Sequence, residues 1–419
     1  MTAELSVMNK RGVALAADSA VSSDNKIYNS SNKLFSLSEE HSVGIMIYNV
    51  DSLNDVPWET IIKCYRDEIG DSPKSTLSDY YVDLIKFIEN IKENNLFDQE
   101  QIDNSIRTAS FITYSKILDS IDDELEEKLR SSNTKFTETF YTKYFQDYIK
   151  NYYSKLNSLP YSLKFNIASF NSLTNQYKNM LNDLIDYIFE QINLSKLDRN
   201  RLVKIGVFSL IKDIFVNFTG VVIAGFGKNE VYPSIYSLKI ENLLSYKIRN
   251  VDKQTLKFQF DSDKCHTIDN FKGRSFIAPF GQDDMSRLFL DGIDSKLSQY
   301  SKIELDDLHF NLKKRIKNKL SSVGTNRLIT DIDTMIDECY NNYSEKLENY
   351  QNIVYQSPVK ASISILPMNE LSIMAETLVN LTSFKRQMSH NQQETVGGPT
   401  DVAIITKGDG FRWIKRKTL

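Results

Sequence analysis

The start of the chain alternates apolar residues with polar or small ones over two short stretches. The apolar positions in these stretches are Leu5, Val7, Val13, Leu15 and Ala17. Alternation with a period of two residues is typical of β-strands. A short polar turn, Lys10-Arg11-Gly12, separates the two stretches. We therefore predict an antiparallel hairpin at the start of the chain.

This hairpin brings two polar residues together. Thr2 lies at one end of its first strand, and Asp18 closes its second strand. Antiparallel pairing across the turn places the Asp18 carboxylate close to Thr2. The chain then returns through Lys33, and we expect Asp18 to hold its ammonium group beside the Thr2 hydroxyl. Such a cation stabilises an alkoxide and opposes protonation of a neighbouring amine.

Thr2 has a chemical role of its own if Met1 is removed. We expect this removal, because the second residue is small. Thr2 then carries a hydroxyl nucleophile and a free α-amine, whose reference pKa of ~7.7–8 suits proton abstraction at neutral pH. This combination is the chemistry of an N-terminal-threonine hydrolase.

Later segments carry apolar residues every three to four positions, the spacing of an amphipathic helix. A first helix is predicted over residues 57–70, with Pro57 in its first turn. From about residue 72 to 217 the composition shifts towards Tyr, Asn, Lys, Asp and Ile. Helices in this region are predicted at 75–95, 121–132, 140–156 and 175–192. Further helices are predicted at 305–320, 332–350 and 368–384.

Strand patterns return after this helical region. They are predicted at 219–227, 231–240 and 254–260. A strand, a turn and a helix follow over residues 275–293. The chain closes with a Gly-containing turn and a strand pair over 396–414, in which Asp409-Gly410 is a favoured hairpin dipeptide.

Composition narrows the class of protein. With 419 residues and 41% hydrophobic content, the chain can bury one ample core and a second one. Its net charge of −4 gives no reason to expect nucleic acid or an anionic membrane as a partner. No apolar run approaches the roughly 20 residues that span a bilayer, and no secretory signal precedes the first strand. We therefore expect a cytoplasmic protein.

Cysteine and histidine usage gives no sign of a metal site or a disulfide framework. The three cysteines, Cys64, Cys265 and Cys339, are few, odd in number and far apart. The four histidines show no metal-ligand spacing; they are His41, His266, His309 and His390. We expect no metal and no organic cofactor.

Several of these segments together resemble a known family. Residues 12–20, 26–37 and 42–49, and the distant segments 368–384 and 396–414, resemble proteasome β-subunits and their bacterial ATP-dependent relatives. In that family an N-terminal Thr, an Asp sixteen positions later and a Lys in the next strand form the catalytic set. Thr2, Asp18 and Lys33 match them. Asn49 stands where the family has a Gly whose backbone N–H faces the developing oxyanion.

The resemblance implies a fold and a function. The implied fold is α+β, a four-layer αββα sandwich of the N-terminal nucleophile (Ntn) hydrolases with a large helical insertion. The implied function is hydrolysis of peptide bonds by a self-associating protein that has an ATPase partner. The family core would comprise 1–70, 219–300 and 358–419, with the insertion at 71–218 and a helical extension at 301–357.

Three supporting positions differ from the family pattern. The family's supporting Ser would fall near Gln282 or Asp283, and its later Asp and Ser would fall near Gln393 and Val396. Asp283, Glu394 or Thr395 would substitute if the register differs by one residue. These departures leave two alternatives open: a catalytically silent module for assembly or binding, and a narrow-specificity amidase or acylase acting on small amides.

Overall fold

The protein combines helices with antiparallel β-sheets, which agrees with the predicted α+β class. The computed structural model describes residues 2–23, 26–29, 31–90, 97–131, 137–162, 164–212, 218–244, 247–250, 256–259, 275–320, 326–389 and 396–417. Within this part of the chain, no helix is long and apolar enough to cross a membrane.

The strands of the described residues are numbered in chain order. They are β1 (Ala3–Asn9), β2 (Gly12–Ala17), β3 (Val21–Ser23), β4 (Lys26–Tyr28), β5 (Leu34–Ser36), β6 (Val43–Asn49), β7 (Ser52–Leu53), β8 (Val56–Pro57), β9 (Thr219–Gly225), β10 (Ser234–Leu244), β11 (Lys247–Asn250), β12 (Leu256–Gln259), β13 (Ser275–Gly281), β14 (Asp401–Thr406) and β15 (Gly410–Lys415).

The helices are numbered in the same way. They are α1 (Trp58–Ile69), α2 (Leu77–Glu89), α3 (Gln99–Ser131), α4 (Glu138–Ser158), α5 (Ile167–Ile188), α6 (Lys196–Ile211), α7 (Asp284–Asp291), α8 (Ser295–Leu320), α9 (Asn326–Gln351), α10 (Ser357–Ile365) and α11 (Met368–Gln387). A single π-helical turn, Asn352–Gln356, joins α9 to α10.

Two larger sheets and two short hairpins contain all of these strands. One sheet has the order β13-β1-β2-β14-β15, and the other has the order β11-β10-β9-β6-β5 with β12 also pairing with β10. The two hairpins are β3–β4 and β7–β8. All pairings between the described strands are antiparallel.

The predicted first hairpin is present as β1 and β2. Its register pairs Glu4 with Ala17 and Leu5 with Ala16. Because side chains alternate along a strand, this register puts Leu5 and Val7 on the face opposite to Leu15. Every residue of both strands is buried or nearly so, so both faces of the sheet are covered.

One face of this sheet packs against the other sheet. Met8, Leu15 and Ile405 of the first sheet share an apolar cluster with Met46 and Val222 of the second. Contacts of this kind between two sheets form a core in which side chains from both faces interdigitate.

The outer faces of the two sheets are covered by different helices. On the first sheet, Leu5 and Val7 pack against Leu371 and Ala375 of α11. On the second sheet, α1 and α2 contribute a separate apolar cluster that includes Trp58. The Trp58 indole N–H also donates a hydrogen bond of 2.8 Å to the Thr219 hydroxyl, which fixes the start of α1 against β9.

Helices α3 to α6 form a separate apolar cluster. It includes Ile117, Phe145, Leu181 and Phe208, one from each of the four helices. Asn166 begins α5 with its side chain accepting hydrogen bonds from backbone N–H groups of the first turn, a common N-terminal cap. All buried members of this cluster except Leu244 of β10 lie within the segment predicted to be an insertion, whereas the α2 helix of that segment packs with α1.

The helix predictions were wrong in several bounds. The helix predicted at 57–70 begins at Trp58, and Pro57 precedes it. Helix α3 begins at Gln99, so the prediction at 121–132 covered only its end. Helix α6 was not predicted. From Leu202 to Ile211 most of its side chains are buried, so its apolar residues do not repeat at helical spacing. Helix α2 ends at Glu89, before the predicted end at residue 95.

Candidate active site

Thr2 is held at the start of β1 by the ends of two other strands. Its carbonyl oxygen accepts a hydrogen bond of 2.6 Å from the Gln282 N–H, just beyond β13. Its hydroxyl oxygen, Oγ1, accepts one of 3.2 Å from the Asn49 N–H, at the end of β6. Only 3% of the Thr2 surface is exposed. Contacts to both sheets therefore fix the hydroxyl in position.

The backbone of Asn49 has an unusual conformation. Its φ angle is 77°, in the left-handed region that Asn tolerates better than most residues. Its side-chain amide donates a hydrogen bond of 2.7 Å to the Phe218 carbonyl, which supports this conformation. Glycine adopts such an angle most readily, and here Asn adopts it. As a result, the Asn49 N–H points at the Thr2 hydroxyl.

The Asp18 carboxylate accepts hydrogen bonds from three donors. Its Oδ1 accepts from the Ala3 N–H at 3.1 Å and from Lys33 Nζ at 2.7 Å. Its Oδ2 accepts from the Gly397 N–H at 3.0 Å. In return, the Asp18 N–H donates to the Ala3 carbonyl at 3.1 Å. The carboxylate therefore connects the residue after Thr2, a lysine and the loop before β14.

Lys33 forms a buried ion pair with Asp18. The two side chains are 3% and 0% exposed. Lys33 Nζ also donates a hydrogen bond of 2.5 Å to the Ala20 carbonyl. A buried charge pair is tolerated when further hydrogen bonds satisfy both groups, as they do here. These bonds form two pairs, Thr2 with Asn49 and Lys33 with Asp18. The bond from the Ala3 N–H to Asp18 links the two pairs through the residue after Thr2.

Glu4 is a residue of the site that the sequence analysis missed. It lies two positions after Thr2, so both side chains project from the same face of β1. It is 1% exposed, and neither carboxyl oxygen has a hydrogen-bond partner among the described residues. Burial raises the pKa of the Glu4 carboxyl well above its ordinary value, although the Lys33 charge opposes this and the Asp18 charge adds to it. The protonated, neutral form is therefore favoured.

Tyr48 packs against the aromatic neighbour of Glu4. Its ring is 5.5 Å from that of Phe280, which pairs with Glu4 across β1 and β13. Burial raises the pKa of the Tyr48 phenol to about 12, although a hydrogen bond with Ser237 opposes this, and the Glu4 carboxyl adds to the increase. Both acidic groups of this inner region thus favour their neutral forms, so Lys33 and Asp18 form its charged pair.

Gly281 makes room for Thr2. Its φ angle is 71°, and a β-carbon added there would lie 2.2 Å from the Thr2 carbonyl oxygen and 2.9 Å from Thr2 Oγ1. Both the backbone angle and the available space therefore require glycine. No role in the site was predicted for Gly281 from the sequence.

Arg386 of α11 supports the same turn. Its guanidinium donates a hydrogen bond to the Gln282 side-chain oxygen and another, of 3.0 Å, to the Asp284 carboxylate. Arg386 and Gln282 are both buried. Since the Gln282 N–H holds the Thr2 carbonyl, Arg386 supports Thr2 indirectly. A single Arg just beyond the helix predicted at 368–384 gives no sequence signal for such a contact.

The other supporting positions have different surroundings. The Asp283 carboxylate pairs with Arg287, one helical turn later. Val396 is buried in the apolar cluster against α11, while the next residue, Gly397, donates its N–H to Asp18. Gln393, Glu394 and Thr395 lie outside the described residues. None of the described supporting positions therefore places a hydroxyl or a carboxylate against Thr2.

Among the residues that the structure describes, no group of three or more His, Cys, Asp or Glu side chains is arranged to hold a metal ion. Cys265, His266 and His390 are not among these residues. The chemistry available at the site is thus that of a hydroxyl, a backbone N–H, a lysine–aspartate pair and a neutral carboxyl group.

Comparison with known proteins does not assign the chain. No family model matches it, and no curated protein matches it. Function must therefore be inferred from the geometry of the site and from the resemblance of its motifs.

Glu4→Gln is expected to change how stability depends on pH. The unfolded glutamate ionises near its ordinary pKa of 4.5, whereas the folded one keeps its proton to higher pH. The stabilisation from Glu4 is therefore complete below about pH 4.5 and decreases, by up to about 1.4 kcal/mol per pH unit, as pH rises towards the folded value. Urea denaturation of both proteins from about pH 4.5 to about pH 8 should show Glu4→Gln gaining stability relative to the wild type.

Glu59→Gln serves as a control of opposite sign. Burial opposes ionisation of Glu59, but hydrogen bonds from Lys63 and Asn32 lower the pKa of its carboxyl. The Glu59 contribution is therefore present above about pH 4.5 and decreases as pH falls through the lowered folded value. Parallel pH dependence of Glu4→Gln and the wild type would contradict a neutral, buried Glu4.

Gly281→Ala is expected to displace Thr2. The left-handed angle costs about 1–2 kcal/mol for Ala, and the clash with Thr2 adds to this cost. Gly410→Ala is a matched control, since Gly410 has a φ angle of 68° and the nearest atom to a β-carbon there would be 3.7 Å away. Chemical denaturation should show a larger loss of stability for Gly281→Ala. Equal losses in the two variants would mean that the space at Gly281 is not required.

Proposed function

We propose that the chain is a threonine-type peptidase or amidohydrolase with a four-layer αββα Ntn-hydrolase fold. The two facing sheets, with α10 and α11 on one outer face and α1 and α2 on the other, support this fold. The observation that carries the functional proposal is the hydrogen bond from the left-handed Asn49 N–H to Thr2 Oγ1. It places a backbone donor next to the hydroxyl, within reach of the carbonyl oxygen of a substrate that the hydroxyl attacks, where acyl transfer develops negative charge.

In the proposed reaction Thr2 acts as nucleophile and base together. Its Oγ attacks the substrate carbonyl, and the hydroxyl proton moves to the Thr2 α-amine. The α-amine then donates this proton to the leaving nitrogen as the C–N bond breaks. Water then attacks the resulting ester while the α-amine takes a proton from it, and the α-amine returns this proton to Thr2 Oγ as the ester C–O bond breaks. This reaction requires cleavage of the peptide bond that precedes Thr2, because an amide nitrogen is not a base.

The neighbouring residues have separate roles in this proposal. The Asn49 N–H stabilises the oxyanion of the tetrahedral intermediate. The Lys33 ammonium lowers the cost of forming the alkoxide and disfavours protonation of the α-amine. Asp18 positions Lys33 and, through the Ala3 N–H, fixes the strand that begins with Thr2. A neutral Glu4 adds no negative charge that would compete with Asp18 for Lys33.

The resemblance extends the proposal to substrate and partners. A peptide or protein is the proposed substrate, in a cytoplasmic protein that self-associates and works with an ATPase partner. No metal or organic cofactor takes part in the proposed reaction.

A catalytically silent module for assembly or binding is the second candidate. The specific observations that favour it are the apolar surroundings of Val396 and the pairing of Asp283 with Arg287. Neither position then supplies the side chain that would orient a catalytic water. A silent module would retain the Asp18–Lys33 pair as a structural element only.

Thr2→Val tests the hydrolase directly. Valine keeps the shape of the side chain but lacks the hydroxyl, so turnover of a fluorogenic peptide amide should fall by at least about 10³-fold. Thr2→Ser should retain measurable turnover. Thr113→Val is a matched control on α3, where the hydroxyl bonds only to its own helix, and it should keep wild-type activity. The mass of each protein should first show that residue 2 is the N-terminus.

Equal turnover by the wild type and Thr2→Val would reject Thr2 as the nucleophile. If the wild type has a free Thr2 α-amine and still cleaves neither peptides nor small amides, the silent module becomes the better account.

Lys33→Ala separates catalysis from folding. Asp18 keeps its two backbone donors, Ala3 and Gly397, so we expect the variant to fold while losing turnover. Removing one partner of a buried pair costs up to about 3–5 kcal/mol, which these donors reduce. Circular dichroism and a thermal melt would show whether the variant folds, and the activity assay would measure its turnover. A chain that fails to fold would show that Lys33 is chiefly structural.

A further inference from the structure

Helices α8 and α9 form an antiparallel hairpin, and none of its described side chains is buried in a core. Each helix has 26 residues, a length of about 39 Å. Described side chains of both helices are exposed or partly exposed. His309 and Lys313 of α8 each bond to Asp337 of α9, at 2.8 and 2.7 Å, which fixes how the two helices align.

One face of this hairpin is apolar. Leu305, Leu308 and Leu312 of α8 face Met335, Cys339 and Tyr343 of α9 across a groove. The spacing of three to four residues places each set on one side of its helix. Leu308 and Met335 are each 62% exposed. An apolar helical face of this length that is left in water marks an interaction surface.

Charge is distributed unequally along the hairpin. We call residues 309–319 and 329–337 the tip half, and residues 295–308 and 338–351 the base half. The tip half has five basic and three acidic residues, namely Lys313, Lys314, Arg315, Lys317, Lys319, Asp331, Asp333 and Asp337. The base half has three basic and six acidic residues, namely Lys296, Lys302, Lys346, Glu304, Asp306, Asp307, Glu338, Glu345 and Glu348.

We propose that this hairpin is a self-association surface and that its partner is a second copy of the same chain. In a two-fold arrangement with the hairpins antiparallel, each tip half lies against the base half of the other copy. Opposite net charges then meet twice, while a parallel arrangement would bring like charges together. The two apolar faces close into a four-helix bundle, which buries the groove of both copies. This proposal does not depend on the chemistry of Thr2.

Cys339 gives the arrangement a direct test. It is exposed and lines the apolar groove. It lies two residues after Asp337, whose bond to His309 is near the middle of the hairpin. A two-fold axis through the middle of the hairpin therefore brings the two Cys339 thiols close together. A short bis-maleimide, which alkylates one thiol at each end, should join two full-length chains.

Cross-linking should depend on Cys339 and on the apolar face. Cys339→Ser should abolish the cross-linked dimer. Leu308→Glu combined with Met335→Glu should raise the dimer dissociation constant at least ~10-fold in sedimentation velocity, since a charge is placed in each apolar face. Tyr187→Glu is the matched control: Tyr187 is 72% exposed on α5, away from the hairpin. It should leave the dimer unchanged.

Charge reversal tests the antiparallel orientation. Lys314→Glu with Lys317→Glu should weaken the dimer, and adding Glu345→Lys with Glu348→Lys should restore it. A wild-type chain that is monomeric at all accessible concentrations would overturn the proposal. Unchanged dimerisation of the Leu308→Glu, Met335→Glu double variant would also overturn it. So would a cross-linked dimer of the Cys339→Ser variant.

Discussion

The rest of the site depends on the hydrogen bonds that the Asp18 carboxylate accepts. It is buried, and it accepts hydrogen bonds from Ala3, Lys33 and Gly397. These three groups come from β1, from the residue before β5 and from the loop before β14, so one side chain joins segments far apart in sequence. Without this acceptor, a lysine charge and two backbone N–H groups would be left in the interior, a cost of several kcal/mol. The position of Thr2 follows from the same bonds, because Ala3 is its neighbour.

The parts of the structure that the sequence predicted depend on short-range rules. Alternation with a period of two predicts β1 and β2, and the turn between them sets the register that brings Asp18 to Ala3. Asn49 was singled out by its place in a resembling segment, and its left-handed angle is one that Asn tolerates. The hairpin pattern alone therefore predicts that Asp18 lies beside the start of β1, whereas Asn49 was found only through the resemblance.

The parts that the sequence did not predict depend on long-range packing. Glu4 follows the same alternation as Thr2, but the burial of that face depends on the second sheet. Strands β9, β10 and β11 of that sheet lie more than 200 residues further along the chain. The requirement for glycine at position 281 arises from the backbone of Thr2, and Arg386 acts through Gln282. Helix α6 has no apolar periodicity because most side chains of its second half are buried in the cluster that it shares with α3 to α5. None of these features leaves a local signal in the chain.

The central claim is that Thr2 is an activated nucleophile, and labelling with a peptide-based electrophile tests it most directly. The folded protein, with its Thr2 α-amine shown to be free, would be incubated with the reagent, digested and mapped by tandem mass spectrometry. The account predicts one adduct, on Thr2, that disappears when the protein is unfolded first. A Thr2 peptide that remains unmodified in the folded protein, or an adduct confined to another residue, would contradict it.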